Sequence, residues 1–171
     1  MRPLLSIVIP SNNRTELLQE AIVSIITDSG WSPDCELCIS DNSKGDQTAN
    51  LIHTKYSGSS QIVYRRSLDA PSLDENFNMA ISMASGEYVW IFGDDDLIVE
   101  DFLAELITYL KSNSPDSVIL NSSSFHDQGQ VEAARLALDG LIVYGPKDND
   151  LFLTDQGGYL TYGGCIVIRK K

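Results

Sequence analysis

The chain has 171 residues, a length for one domain, and 43 % of them are hydrophobic, which supports a sizeable core and argues against disorder. Lys plus Arg total 12 against 24 Asp plus Glu, a formal net charge of −12. Such a surface repels nucleic acid and anionic lipid, so nucleic acid is not an expected partner, and a bound polyanion needs local help from a metal, backbone amides or selected basic residues.

Leu4 to Ile9 is a continuous apolar strand broken by Pro10. Asn12 or Asn13 can cap the helix that follows, about Thr15 to Thr27, in which Leu18, Ala21, Ile22, Ile25 and Ile26 keep the helical period. Leu37 to Ser40 reads as a short second strand, Asp46 as the cap of a helix over about Gln47 to Tyr56, and Gln61 to Tyr64 as a third strand. Ser72-Leu73-Asp74-Glu75 fits a capping box, and the helix behind it runs to about Ala84, before Gly86. Tyr88 to Phe92 is the next strand, Glu100 to Ser112 a helix stopped by Pro115, and Val118 to Leu120 a fifth strand. The regularity then fades. Glycine pairs at 157–158 and 163–164 suggest loops, with short strands expected at Leu141–Tyr144 and Cys165–Ile168.

This β-α-β-α succession predicts an α/β fold, an open and mostly parallel sheet with helices on both faces. Ligands of such sheets bind in the crevice beyond the strand carboxyl ends. The segments there are Pro10-Ser11-Asn12-Asn13-Arg14, Asp41-Asn42-Ser43 and Gly93-Asp94-Asp95-Asp96, and all three are polar. Three consecutive carboxylates repel one another, by ~1 kcal/mol per pair at ~4 Å in water and more near protein. A divalent cation relieves that repulsion, and Mg²⁺ is commonly held by one or two carboxylates plus substrate phosphates. The triplet also fits a solvated acidic turn at a helix start.

Cys35 and Cys38 have C-x-x-C spacing, but no second pair and no suitably spaced histidines complete a zinc site; they read as small hydrophobes in a strand. His53 is expected on a helix face and His126 in a loop. Three cysteines, no secretion leader and no apolar run long enough to span a bilayer predict a cytoplasmic protein without a transmembrane segment, with the inner face of a membrane as a further possible location.

Ser6-Ile7-Val8-Ile9-Pro10-Ser11-Asn12-Asn13-Arg14, Ile39-Ser40-Asp41-Asn42-Ser43, Ala84-Ser85-Gly86-Glu87-Tyr88-Val89-Trp90 and Gly93-Asp94-Asp95-Asp96, in this order over residues 4 to 121, resemble family 2 glycosyltransferases. The resemblance implies a GT-A fold, a nucleotide-binding α/β sandwich: a single glycosyltransferase-like domain over 1–171, with a nucleotide-binding part over 1–121 and the start of an acceptor-side part over 122–171. It implies that Pro10, Ser11, Asn12 and Asp41 hold the nucleoside, where a carboxylate can accept the ring N–H of uracil. It puts Asn78, with Asn76 as its neighbour, near the nucleotide. Arg14 could meet a phosphate, cap locally or pair with Glu16, and Arg65 or Arg66 could approach the same edge. Asn12 stands where many relatives carry an aromatic residue that stacks on the base.

Within the triplet, a D-x-D pattern, the resemblance makes Asp95 the best metal ligand for Mn²⁺ or Mg²⁺. Asp94 would serve the ribose or metal, and Asp96 an outer position or the sugar. The implied reaction is inverting transfer of a sugar from a nucleotide-diphosphate sugar, a UDP-sugar being favoured, to a glycan or lipid-linked acceptor hydroxyl in polysaccharide or glycoconjugate synthesis. In similar enzymes the general base lies beyond a segment like Gly163-Gly164-Cys165-Ile166-Val167-Ile168-Arg169, and no matching base follows it here. The expectation is therefore the donor-binding part of a longer, truncated enzyme. A non-catalytic nucleotide-sugar binding module is the main alternative. A sugar-phosphate nucleotidyltransferase would begin with a Gly-rich loop, which Ser-Asn-Asn-Arg is not.

Overall fold

In a computed structural model the described residues are 2–66, 72–124, 142–145, 147–148 and 165–170. Strands β1 (Leu5–Ser11), β2 (Cys35–Asp41), β3 (Ile62–Arg66) and β4 (Tyr88–Ile91) alternate with helices α1 (Thr15–Ile26), α2 (Gln47–Lys55) and α3 (Leu73–Met83). Helix α4 (Phe102–Asn113), β5 (Ser117–Ile119) and β6 (Ile166–Arg169) complete the order. The strands form one sheet in the order β3-β2-β1-β4-β6-β5. The first four run parallel, and β6 is antiparallel to both its neighbours. The expected mostly parallel α/β architecture is what the chain adopts.

The core follows from strand alternation. Leu5, Ile7 and Ile9 point to one face and meet Leu18, Ile22 and Ile25 of α1 and Leu103, Leu106 and Leu110 of α4. Val8 points to the other face, with Cys38, Val89 and Ala80 and Ala84 at α3. Both faces of β1 are thus covered, which is why its sequence is continuously apolar. Each fully buried Leu or Ile contributes roughly 1.5–3 kcal/mol. Cys35 belongs to the first face and Cys38 to the second, so the C-x-x-C pair cannot close on one metal. Burial raises their thiols to about 11 and about 12.

Helix starts differ in one instructive way. The capping box of α3 forms as expected, with Ser72 Oγ accepting from Glu75 N and Glu75 from Ser72 N. In α1 neither Asn12 nor Asn13 caps: Arg14 is the N-cap residue and makes no side-chain cap bond. Asn13 instead takes a left-handed backbone (φ 56°), a conformation that asparagine tolerates. Its side chain accepts from Lys44 N at 3.1 Å, while its own N–H donates to Ser43 Oγ at 2.7 Å. The cap was given up to join two loops. Asp46 starts α2 as expected, but its carboxylate pairs with Arg66 at 2.5 Å rather than with the helix amides.

Strand β3 runs two residues beyond the expected end, so Arg65 and Arg66 lie within it. Residues 142–145 carry no strand. The expected strand there is absent over Ile142–Tyr144, and Leu141 lies outside the described residues, as do His126 and the glycine pairs at 157–158 and 163–164. The segment Ala84-Ser85-Gly86-Glu87 lies at the amino ends of β1, β2 and β4, opposite the ligand edge. Glu36 there accepts from Ser6 Oγ at 2.6 Å and Ser85 Oγ at 2.8 Å, and Ser6 Oγ accepts from Gly86 N at 2.8 Å. This motif serves the fold.

Candidate donor-binding site

The chain order reverses at β1, with β2 and β3 on one side and β4 on the other. In open α/β sheets the ligand crevice opens at that switch point. The loop after β1 and the loop after β4 flank it, and their side chains meet there. Ser11 Oγ donates to Asp94 Oδ2 at 2.8 Å, a buried bond between residues 83 apart in sequence. Arg14 Nη1 lies 3.1 Å from Asp94 Oδ1 and 2.9 Å from Asp95 Oδ2. The two carboxylates, Asp94 foremost, raise the pKa of the guanidinium.

Behind these residues sits Asn76, 1 % exposed on α3. Its Oδ1 accepts from Ser40 Oγ at 2.6 Å, and its Nδ2 donates to Ser11 O at 3.2 Å and Asn42 Oδ1 at 3.3 Å. One side chain thereby joins the ends of β1 and β2. Asn78, two residues on, is exposed. The sequence named Asn76 only as a neighbour; its signal was its place on the inward side of α3, four residues before buried Ala80.

Asp41 ends β2 and is fully buried. Its Oδ1 accepts from Ser43 N at 2.8 Å, which sets the turn, and its Oδ2 accepts from Tyr64 Oη at 2.7 Å. Burial first, and then the bond to Asp41, raise the pKa of the Tyr64 hydroxyl. Tyr64 also packs edge-on against His53, with centroids 5.9 Å apart. Arg66 holds the neighbouring loop, donating to the carbonyls of Ser43, Lys44 and Gly45 at 3.4, 3.3 and 2.7 Å. Tyr64 and Arg66 are loop-ordering residues that the sequence motifs did not single out for this task. Asn12 is exposed and Pro10 half-buried at the same edge.

The expected divalent ion can be tested against the donor set. Asp94 and Asp95 each direct one oxygen at a single point, now the Arg14 nitrogen. Two hard oxygens converging in this way suit Mg²⁺ or Mn²⁺, with water and phosphate completing the shell. Asp96 turns its Oδ2 back to Gly93 N at 3.2 Å. Among the described residues no group of three or more His, Cys, Asp or Glu side chains forms a cage. Two carboxylate oxygens are fewer than the donors such an ion takes, so the rest would have to come from water or a bound ligand.

The family pattern described as Glycosyl transferase family 2 matches residues 6–171. The abequosyltransferase RfbV of Salmonella typhimurium is 32 % identical over 98 % of this chain and 53 % of its own length. The poly(ribitol-phosphate) beta-N-acetylglucosaminyltransferase TarP of Staphylococcus aureus is 33 % identical over 67 % of this chain and 35 % of its own length. The chain thus spans about half, or less, of these relatives. Among solved structures, S. aureus TarS 1–349 superposes with a TM-score of 0.76 at 18 % identity, over 97 % of this chain and 47 % of that one. The same protein in complex with UDP superposes with a TM-score of 0.64 at 17 % identity, over 76 % and 38 % of the two chains. These likenesses show the GT-A fold, and the match over residues 6–171 establishes that the chain belongs to glycosyl transferase family 2.

Proposed function

We propose that this chain binds the donor in metal-dependent, inverting transfer of a sugar from a nucleotide-diphosphate sugar to a glycan or lipid-linked acceptor, in cytoplasmic synthesis of cell-surface polysaccharide or glycoconjugate. The observation that carries this reading is the convergence of Ser11, Arg14, Asp94 and Asp95 at the switch point, in a chain of this family. The names of the relatives, an abequosyltransferase and a poly(ribitol-phosphate) beta-N-acetylglucosaminyltransferase, support sugar transfer to a glycan-type acceptor. The UDP complex of a similar fold supports a UDP-sugar as the first donor to try. No helix among the described residues is long and apolar enough to cross a membrane.

Asp94 and Asp95 would hold Mn²⁺ or Mg²⁺. Bound there, the ion would supply Lewis-acid stabilisation of the departing diphosphate. The chain's own residues prepare the site. Ser11 fixes the Asp94 carboxylate through Oδ2, so Oδ1, which faces Arg14, keeps one orientation. Arg14 brings a positive charge to an otherwise acidic edge, and its planar fork matches phosphate oxygens. Asp41 and Asn76 order the nucleoside loops. Because Asp41 is fully buried beneath Tyr64 and the Ser43 turn, base readout by Asp41 requires the Tyr64 contact to open.

A thermal-shift panel of nucleoside diphosphates with Mn²⁺ tests the reading. UDP at 100 times its dissociation constant adds ~2.7 kcal/mol, a rise of roughly 5–11 °C for a chain of this size. Asp95→Asn should abolish most of that rise. Absence of a shift with every nucleotide, or an equal shift in Asp95→Asn, would remove the proposal.

A further inference from the structure

Resting on the donor-site reading above, we propose that Arg14 is a built-in counter-ion: it occupies the divalent-ion position between Asp94 and Asp95 when no metal is bound, and moves onto the diphosphate when the ion enters. One nitrogen, Nη1, takes both carboxylate oxygens, at 3.1 and 2.9 Å. An ion bound by both carboxylates would take the place between them that the Arg14 nitrogen now holds. Two cations cannot share it, so metal and guanidinium exclude each other.

The side chain is built to leave. Arg14 is the N-cap residue of α1 but makes no side-chain cap bond, and its side chain is 51 % exposed. Its partners at the acidic pair are the only ion pairs it makes among the described residues. Turning away therefore costs little besides those two contacts. Its destination is also at hand. Phosphates bridged to Asp94 and Asp95 through an ion would lie within the same crevice, and a guanidinium takes phosphate oxygens two at a time. The amino end of α1, a 12-residue helix, favours anions at that edge as well. In a chain with net charge −12, a movable cation keeps the carboxylates compensated before the donor arrives and serves the donor afterwards. Metal and nucleotide binding become coupled, because each relieves a competition that the other faces.

The test is Mn²⁺ titration of the chain, followed by electron paramagnetic resonance with and without UDP, on the wild type, Arg14→Met and Arg14→Lys. Arg14→Met should bind Mn²⁺ alone about two- to tenfold more tightly, the fold-change expected from removing two ion pairs whose shared guanidinium is half-exposed. With Mn²⁺ saturating, the same variant should bind UDP about tenfold more weakly, for loss of a charge-assisted contact. UDP should also tighten Mn²⁺ binding less in Arg14→Met than in the wild type. Arg14→Lys keeps the charge without the fork and should fall between. A merely structural Arg14 would do the opposite to the metal: its loss would loosen the carboxylates and weaken Mn²⁺. Unchanged or weaker Mn²⁺ binding in Arg14→Met, with a wild type that binds both ligands, sinks the counter-ion role and leaves the donor site intact. A wild type that binds no Mn²⁺ overturns both.

Discussion

Asn76→Ala isolates the joint between the first two loops. The substitution removes the acceptor of the buried Ser40 hydroxyl and the donor to Ser11 O and Asn42 Oδ1. Ser11 O keeps the Asn42 N–H at 3.1 Å, so the carbonyl is not stranded. The Ser40 hydroxyl, 0 % exposed, carries the larger penalty. Leaving one buried group without its partner costs about 1–3 kcal/mol, and the remaining bonds add roughly 1 kcal/mol, for a total of about 2–4 kcal/mol. At ~2–4 °C per kcal/mol for a domain of this size, the melting temperature should fall by roughly 4–16 °C. Asn78→Ala, at an exposed position of the same helix, should stay within about 0.5 kcal/mol of the wild type. Urea denaturation of the two variants gives the stabilities, and UDP with Mn²⁺ in the thermal-shift assay gives the binding. Asn76→Ala should lose both stability and the UDP response. If it is no less stable than Asn78→Ala, the proposed joint does not hold the loops.

Gly86→Ala should destabilise by ~1–3 kcal/mol through overpacking, since its Cβ would lie 2.6 Å from Ser6 Oγ and 2.9 Å from Ser6 N. UDP binding by the folded fraction should survive, because the contact is at the opposite sheet edge; wild-type stability in urea would refute the crowding. Alkaline pH should also unfold the protein. The buried thiols of Cys35 and Cys38 are raised from 9.0 to about 11 and about 12. Their contribution is therefore full below pH 9 and lost as pH rises toward those values, at ~1.4 kcal/mol per pH unit for each thiol. Cys38→Ala should flatten the decline of unfolding free energy between pH 9 and 11, and an unchanged slope would remove Cys38 from it.

Some of this protein is written in local patterns. The continuous apolar run of β1, the period of α1 and the capping box of α3 depend on near neighbours, and each forms as its sequence predicts. The acidic triplet after β4 could be recognised as an oddity because like charges in succession repel whatever the fold. The four spaced motifs carried the family. Other features depended on which strands became neighbours. The parallel register of β1 with β2 and β4 decides that Ser11 meets Asp94 and that Arg14 meets Asp94 and Asp95. It also brings the 43–44 loop beside Asn13, whose side chain accepts from Lys44 N and whose backbone N–H donates to Ser43 Oγ, instead of capping α1. Asn76 and Asn78 are alike in sequence, and only the packing of α3 onto β1 and β2 makes one a buried joint and leaves the other in solvent. Periodicity and charge are local quantities that a sequence fixes by itself. Hydrogen-bond partners 30 to 83 residues apart exist only once the sheet has been assembled.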